Sequence, residues 1–391
     1  MKQWIVVVEC SALLSIFFSC STVPPPTPAA TVQTAQSGGC GSTHGAFVET
    51  GKMLTPRASH TATLLEDGSV LIVGGITGRP SVALNSSEIY DPAHGAFLDS
   101  GEMTVPRQQA VATRLSDGRV LIAGGSAKGP SRFYTALQQS VGSSEPLDSA
   151  EIYDPKSKTF SSVGSMGFTR IPQSATLLDG GKVLLFGFDS AEVFDPASGT
   201  FSTTAKPTAT RIENAAVRLN DGRALIACGG ISGSETWKSA EIYDPKSNRF
   251  ARTGDMAEQL NWCHATLLSD GNVLLVGSTL TKKAEIYDPK TGTFSFAGEV
   301  LLELAEPLPS RLKDGRVLVT SYAFPGYPLR KGGLTAETYD PSSHAFNSMG
   351  EVQPERTGYT STTLKDGSVL IAGGSSDYGP LYPSSALLFC P

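Results

Sequence analysis

One unit is written seven times in this chain, and that repetition limits the possible folds more than any other feature. In the first copy the unit reads Arg57, a short strand, Asp67-Gly68, the apolar run Val70-Leu71-Ile72, Gly74-Gly75, then Glu88-Ile89-Tyr90-Asp91-Pro92 and Phe97. The Asp-Gly pair returns at Asp117-Gly118, Asp221-Gly222, Asp270-Gly271, Asp314-Gly315 and Asp366-Gly367, with Gly180-Gly181 in the third copy. The Asp-Pro end returns at Pro155, Pro196, Pro245, Pro289 and Pro341 and degenerates to Phe389-Cys390-Pro391. Units of roughly 40–60 residues, each with four short strands, predict an all-β chain: a seven-bladed β-propeller with one antiparallel four-stranded blade per unit.

Within a unit, strand a runs from about His60 to Leu65, strand b from Val70 to Gly74, strand c from Glu88 to Asp91, and strand d opens at Phe97. Asp67-Gly68 between two apolar runs reads as a two-residue hairpin with positive φ at both central positions. Asp91-Pro92 opens the second turn, and Gly95 can take the left-handed position that closes it. The composition, with 41 glycines and 25 prolines, suits that many turns. The b strands are continuously apolar, as expected where stacked blades bury both faces. Long segments fall between strands b and c, while the a–b and c–d turns stay tight. The b–c loops and d-to-a crossings therefore share one variable face, the usual place for binding.

The two ends are in register with each other. The chain stops at Pro391, which aligns with the end of a strand c, and Thr43-His44-Gly45-Ala46-Phe47 matches Ala93-His94-Gly95-Ala96-Phe97 at the start of a strand d. An N-terminal strand is thus expected to complete the last blade and remove its open edge. Cys40 and Cys390 flank that join, and a disulfide between them is expected to staple the ring. Cys228 and Cys263 fall in adjacent blades; separate burial is the first reading, with a bond left open.

Residues 1–19, with Lys2 followed by an apolar run, have the pattern of a signal peptide. Ser19-Cys20 resembles a bacterial lipobox, with Cys20 the lipidated first mature residue. Residues 20–39 are rich in Pro and Thr and read as a tether, and residues 40–391 as the propeller. The expected location is the bacterial cell envelope, as a lipid-anchored outer-membrane or periplasmic protein, or outside the cell. Net charge is −6 with no basic stripe, which argues against nucleic acid. A monomer is expected, touching the membrane through the N-terminal lipid alone.

From Phe47 to Pro391 the chain resembles Kelch-repeat propellers, particularly bacterial proteins of the galactose-oxidase type, although the Trp usual in those blades is absent and Tyr90, Tyr153, Tyr243, Tyr287 and Tyr339 precede Asp-Pro. That resemblance implies a fold shared by oxidases, sugar epimerases and binders of proteins or glycans, so it does not select among them. Copper radical oxidases of this fold use two His and two Tyr. Here His44, His94 and His344 belong to c–d turns, and His60 and His264 are offset by one position in strand a. No metal or other cofactor is therefore expected.

Two groups of residues remain candidates for a ligand site. Arg57, Arg107, Arg170, Arg211 and Arg356 share one register near the loop face, with Leu260 and Leu304 in their place in blades five and six. Such a ring can bind carboxylates. The co-repeating Glu88, Glu151, Glu192, Glu241, Glu285 and Glu337 favour buried ion pairs instead. The unrepeated residues are the better candidates: His60, Asn214, Glu213 and Trp262 at the start of strand a, and Trp237, Tyr134, Tyr322, Tyr327 and Tyr378 in b–c loops. Aromatic and amide groups around a channel mouth suit a sugar. The first functional reading is a binding module for a glycan or an extracellular or periplasmic protein. The alternatives are a sugar-modifying enzyme, epimerase-like or oxidase-like, acting at the same mouth, and an adhesin or scaffold.

Overall fold

The Val-Leu-Ile runs become the b strands of seven four-stranded antiparallel sheets, and every residue of Val70–Val73, Val120–Ala123 and Val183–Phe186 is buried. These come from a computed structural model. It describes residues 39–41, 43–128, 145–168, 171–230, 235–278, 282–301, 305–323, 333–352, 356–376 and 382–391, with the backbone of Val32–Thr34, Phe133–Tyr134 and Gln139–Ser140. Six of the sheets follow the chain order a-b-c-d, as in Thr61–Leu64, Val70–Val73, Ser86–Asp91 and Ala96–Glu102 of blade one. The seven a strands touch one another in a closed ring and wall a central channel. Apolar clusters fill the seams between neighbouring blades; Val70 and Ile72 of blade one pack with Leu370 and Leu388 of blade seven.

The a–b turn differs from expectation. Gly68 has φ 97°, but Asp67 is not left-handed, and Gly68 N–H donates to the Leu65 carbonyl. This is a three-residue loop, a right-handed turn over Glu66-Asp67 closed by a left-handed glycine. The Asp67 carboxylate accepts from Ser69 N–H at 2.9 Å, which explains the Asp. In the c–d turn, Ala93 N–H donates to Asp91 Oδ1, and the left-handed closing residue is Gly95 in blade one but Lys158, Asn248 and His344 elsewhere.

The Arg register is structural, which corrects its place among the candidate ligand contacts. Arg57, Arg107, Arg211 and Arg356 are fully buried inside their blades, not at the mouth. Arg211 donates to Glu241 at 3.0 Å and to the carbonyls of Cys228 and Ser239 at 2.9 and 2.8 Å. Arg57 pairs with Glu88 at 2.7 Å and Arg107 with Glu151 at 3.1 Å. The repeated Glu does more than pair with the Arg, because Glu88 also caps the Leu54 and Thr55 N–H groups in the d-to-a crossing from blade seven. Glu285 caps Ala257 and Glu258 in the same way although Leu260 replaces its Arg. Arg170 lies outside the described residues.

The ring closes as its ends predict. Ala46–Lys52 pairs antiparallel with Ser385–Cys390 and completes blade seven, with Phe47 opposite Phe389 and their ring centroids 5.1 Å apart. Cys40 and Cys390 are bonded. Within the segment read as a tether, Val32–Thr34 pair in parallel with Phe47–Glu49 and add a fifth strand to this sheet. Cys20 lies outside the described residues. Cys228 and Cys263 are also bonded, across blades four and five, in place of the separate burial that the sequence suggests. The side chain three places after the Arg register reaches back to the preceding blade, and sequence distance does not reveal that reach.

Candidate functional site

The chain enters six of the seven a strands through one residue whose backbone is left-handed. Counting two places from the Arg register, these are Ser59, Gln109, Glu213, Trp262, Glu306 and Gly358, with φ between 43° and 64°. Pro172 holds the position in blade three. The conformation costs a non-glycine residue about 1–2 kcal/mol, so something must hold it. Hydrogen bonds from blade to blade do so: Ser59 N–H donates to the Gly358 carbonyl at 2.8 Å and Gln109 N–H to the Ser59 carbonyl at 3.0 Å. In blade four the partner is a side chain, because Glu213 N–H donates to Gln173 Oε1 at 3.0 Å. The result is a collar of equivalent residues at the loop-face mouth of the channel, tied by hydrogen bonds between blades seven and one, one and two, and three and four.

Three consecutive blades, four to six, place Glu213, Trp262 and Glu306 on this collar. The Trp262 indole N–H donates to the Glu213 carboxylate, and the negative charge of Glu306, from blade six, also acts on Glu213. Glu306 is surrounded by the inner strands yet its side chain is open to the channel, and it hydrogen-bonds to Thr357. Burial, then the neighbouring charge, raises Glu213 to about 7; burial raises Glu306 as well. Among the described residues neither carboxyl has a cationic partner.

Carboxyls raised in this way have a signed effect on stability. The folded protein keeps a proton on Glu213 between its ordinary value of 4.5 and about 7, while the unfolded chain has lost it. The contribution is therefore complete below pH 4.5 and is lost as pH rises through about 7. The stability difference between the protein and its Glu213→Gln variant should shift by on the order of 3 kcal/mol over that range. Urea unfolding at a series of pH values measures it, and a difference that stays flat contradicts the assignment.

The other candidates divide. His60 is buried between blades one and seven, its Nε2 3.1 Å from Thr360 Oγ1; burial and the nearby Arg57 charge lower it to about 3, so the ring is neutral. Asn214 is buried with Oδ1 accepting from Ser174 Oγ at 2.9 Å. Trp237 closes over Gly230, where an added Cβ would meet its ring at 2.8 Å. Trp237 therefore covers its own loop base. Tyr322 is half-buried at the end of strand b of blade six, opposite Ala305. The Tyr134 side chain, Tyr327 and Tyr378 lie outside the described residues. Sequence reasoning missed Glu306. Leu304 replaces the arginine of its blade and so hides the register, but counted two places from it Glu306 falls in line with Glu213 and Trp262.

The Kelch motif family matches residues 111–167. No curated protein matches the sequence. Among solved structures the fold is similar to a fungal alcohol oxidase of the AA5 family solved in complex with copper, at 16% identity and a TM-score of 0.66, over 87% of this chain and 75% of that one. The residues here do not fit a copper site of that kind. His60 is turned into a blade seam, and His264, which opens to the channel, belongs to blade five. Among the described residues no three His, Cys, Asp or Glu side chains gather around one point that could hold a metal. Seven four-stranded blades, the Kelch motif over residues 111–167 and this structural likeness together show the fold of a Kelch-type β-propeller, similar to that of the AA5-family oxidase.

Proposed function

We propose that this propeller is exported, held to the envelope by a lipid on Cys20, and binds a glycan at the collar of its channel. One observation supports the binding reading above the rest: Glu213, Trp262 and Glu306 project from the same left-handed position of three neighbouring blades. An indole stacks on the apolar face of a sugar ring, and flanking carboxyls and the Gln173 amide take its hydroxyls. The Cys40–Cys390 bond suits an oxidising compartment.

Screening residues 38–391 on a glycan array, then titrating the hits by calorimetry, tests this. Trp262→Ala should weaken binding by about 1–3 kcal/mol. Changes at the exposed Lys156 and Lys246, in the turns of the opposite face, should leave it unaltered. A glycan lost through the lysine changes but not through Trp262→Ala would put the site on the other face.

The value of about 7 for Glu213 favours a second reading, acid–base turnover of the bound sugar, since a group that ionises near neutrality both gives and takes a proton. Consumption or epimerisation of the sugar that disappears in Glu213→Gln would select this reading over binding alone.

A further inference from the structure

In each blade the second paired residue of strand d stands opposite strand c, near the tight turns. In blade one this residue is Leu98, the partner of Ile89, and it is 49% exposed. Its counterparts in blades two to six are Ser161, Ser202, Ala251, Ser295 and Asn347. Ser202 donates to the Val193 carbonyl at 3.3 Å, so its hydroxyl is spent within the blade. A lone exposed leucine is ordinary, but Leu98 lines a cleft. With Ile89 of its own blade and Tyr153 and Pro155 of blade two it borders an open space of about 340 Å³, at the lower end of the range for ligand clefts.

One other blade has a branched aliphatic residue at this place, and there it is covered. Val48 of blade seven, opposite Leu388, is 2% exposed. Cys40, bonded to Cys390, packs on the cluster that holds Val48, Leu388 and Tyr90, the counterparts of Leu98, Ile89 and Tyr153. The seam between blades seven and one is thus closed by a short irregular piece of chain with one small apolar side chain between Gly39 and Gly41. In blade one Asp91 occupies the place of Cys390, each opposite the alanine that opens strand d, so no covalent bond can hold such a cover. The cleft offers charge instead. Asp67 and Asp91 stand on its blade-one wall against Lys158 of blade two, a net negative lining. Asp67 is exposed, its Oδ1 accepts from Ser69, and it forms no ion pair among the described residues.

We propose that the cleft between blades one and two docks an extended peptide of another protein. A branched aliphatic side chain of the peptide lies over Leu98 and Ile89, as Cys40 lies over the equivalent cluster, and a neighbouring lysine or arginine meets Asp67. This site is on the face opposite the collar and does not depend on the glycan reading.

Panning a random heptapeptide library against the full mature chain tests the proposal. The enriched sequences should join a Val, Ile or Leu to a nearby Lys or Arg. An enriched peptide, titrated by calorimetry, should bind at least about tenfold more weakly to Leu98→Ser, which gives blade one the residue of blades two and three. Asp67→Asn should cost a smaller factor, about two- to fivefold, that shrinks as salt is raised. Melting curves show that each variant is folded, and should Leu98→Ser fail to fold, Asp67→Asn and its salt dependence decide. Enrichment of no peptide, or of peptides that bind both variants as tightly as the unaltered chain, overturns the proposal. A dimer in sedimentation that Leu98→Ser dissolves also overturns it, by giving the cleft to a second copy of this chain.

Discussion

A chain that begins at residue 53 should lose at least about 5 kcal/mol of stability relative to one that begins at residue 38. The first truncation removes Ala46–Lys52, the strand that completes blade seven. Phe47 is fully buried against Phe389, and losing one such aromatic from a core costs about 3–5 kcal/mol on its own. The truncation also exposes the backbone edge of Ser385–Cys390 and removes Cys40. The Cys40–Cys390 bond spans 350 residues, and constraining so long a loop in the unfolded chain is worth up to about 6 kcal/mol in the chain-entropy view. Replacing both cysteines by serine while keeping the strand separates the two contributions. The chain from residue 38, which lacks Val32–Thr34, should stay within about 1 kcal/mol of the longer form, since a three-residue edge strand adds little. Urea unfolding under oxidising conditions measures all three. Equal midpoints for the chains starting at 38 and 53 would show that the seam does not hold the ring.

The second large effect is expected at Arg211. Arg211→Leu should destabilise the protein by about 3–5 kcal/mol, because it strands a buried carboxylate, Glu241, together with the carbonyls of Cys228 and Ser239. Blade five shows how the protein manages without the arginine. Leu260 is fully buried there, and burial raises Glu285, which still caps Ala257 and Glu258. Pairing Arg211→Leu with Glu241→Gln should therefore recover part of the loss by removing the stranded charge. Thermal and urea unfolding of the single and double variants completes the cycle. A double variant no more stable than the single would mean that the arginine matters through its backbone contacts and not through the ion pair.

The fold is legible in the sequence because its signals are local and repeated. A propeller blade is specified by turns and apolar runs that lie within one unit, so each copy states the same instruction. Even the closure is legible, since the register of Phe47 against Phe97 marks an N-terminal strand d, and that strand pairs with Ser385–Cys390. The a–b turn is one residue longer than expected, because Asp-Gly serves equally in two-residue and three-residue loops. The hydrogen bond from Gly68 to Leu65 distinguishes them, and it belongs to the folded backbone.

The site is legible in part. Glu213 and Trp262 stand out as unrepeated residues near strand a, whereas the repeated arginines point to a register that the blades bury. Sequence by itself determined the seven blades, the loop face, the closing strand and the Cys40–Cys390 staple, since each follows from spacing within or between repeats. The tertiary structure alone decided that Glu213 and Glu306, 93 positions apart, come close enough for the charge of one to act on the other. It also decided that Cys228 meets Cys263 and that the arginines are sealed inside. The physical reason is the ring. Residues in equivalent positions of different blades converge when seven wedges close around an axis, and no periodicity along the chain records which of them then share a charge, a proton or a bond.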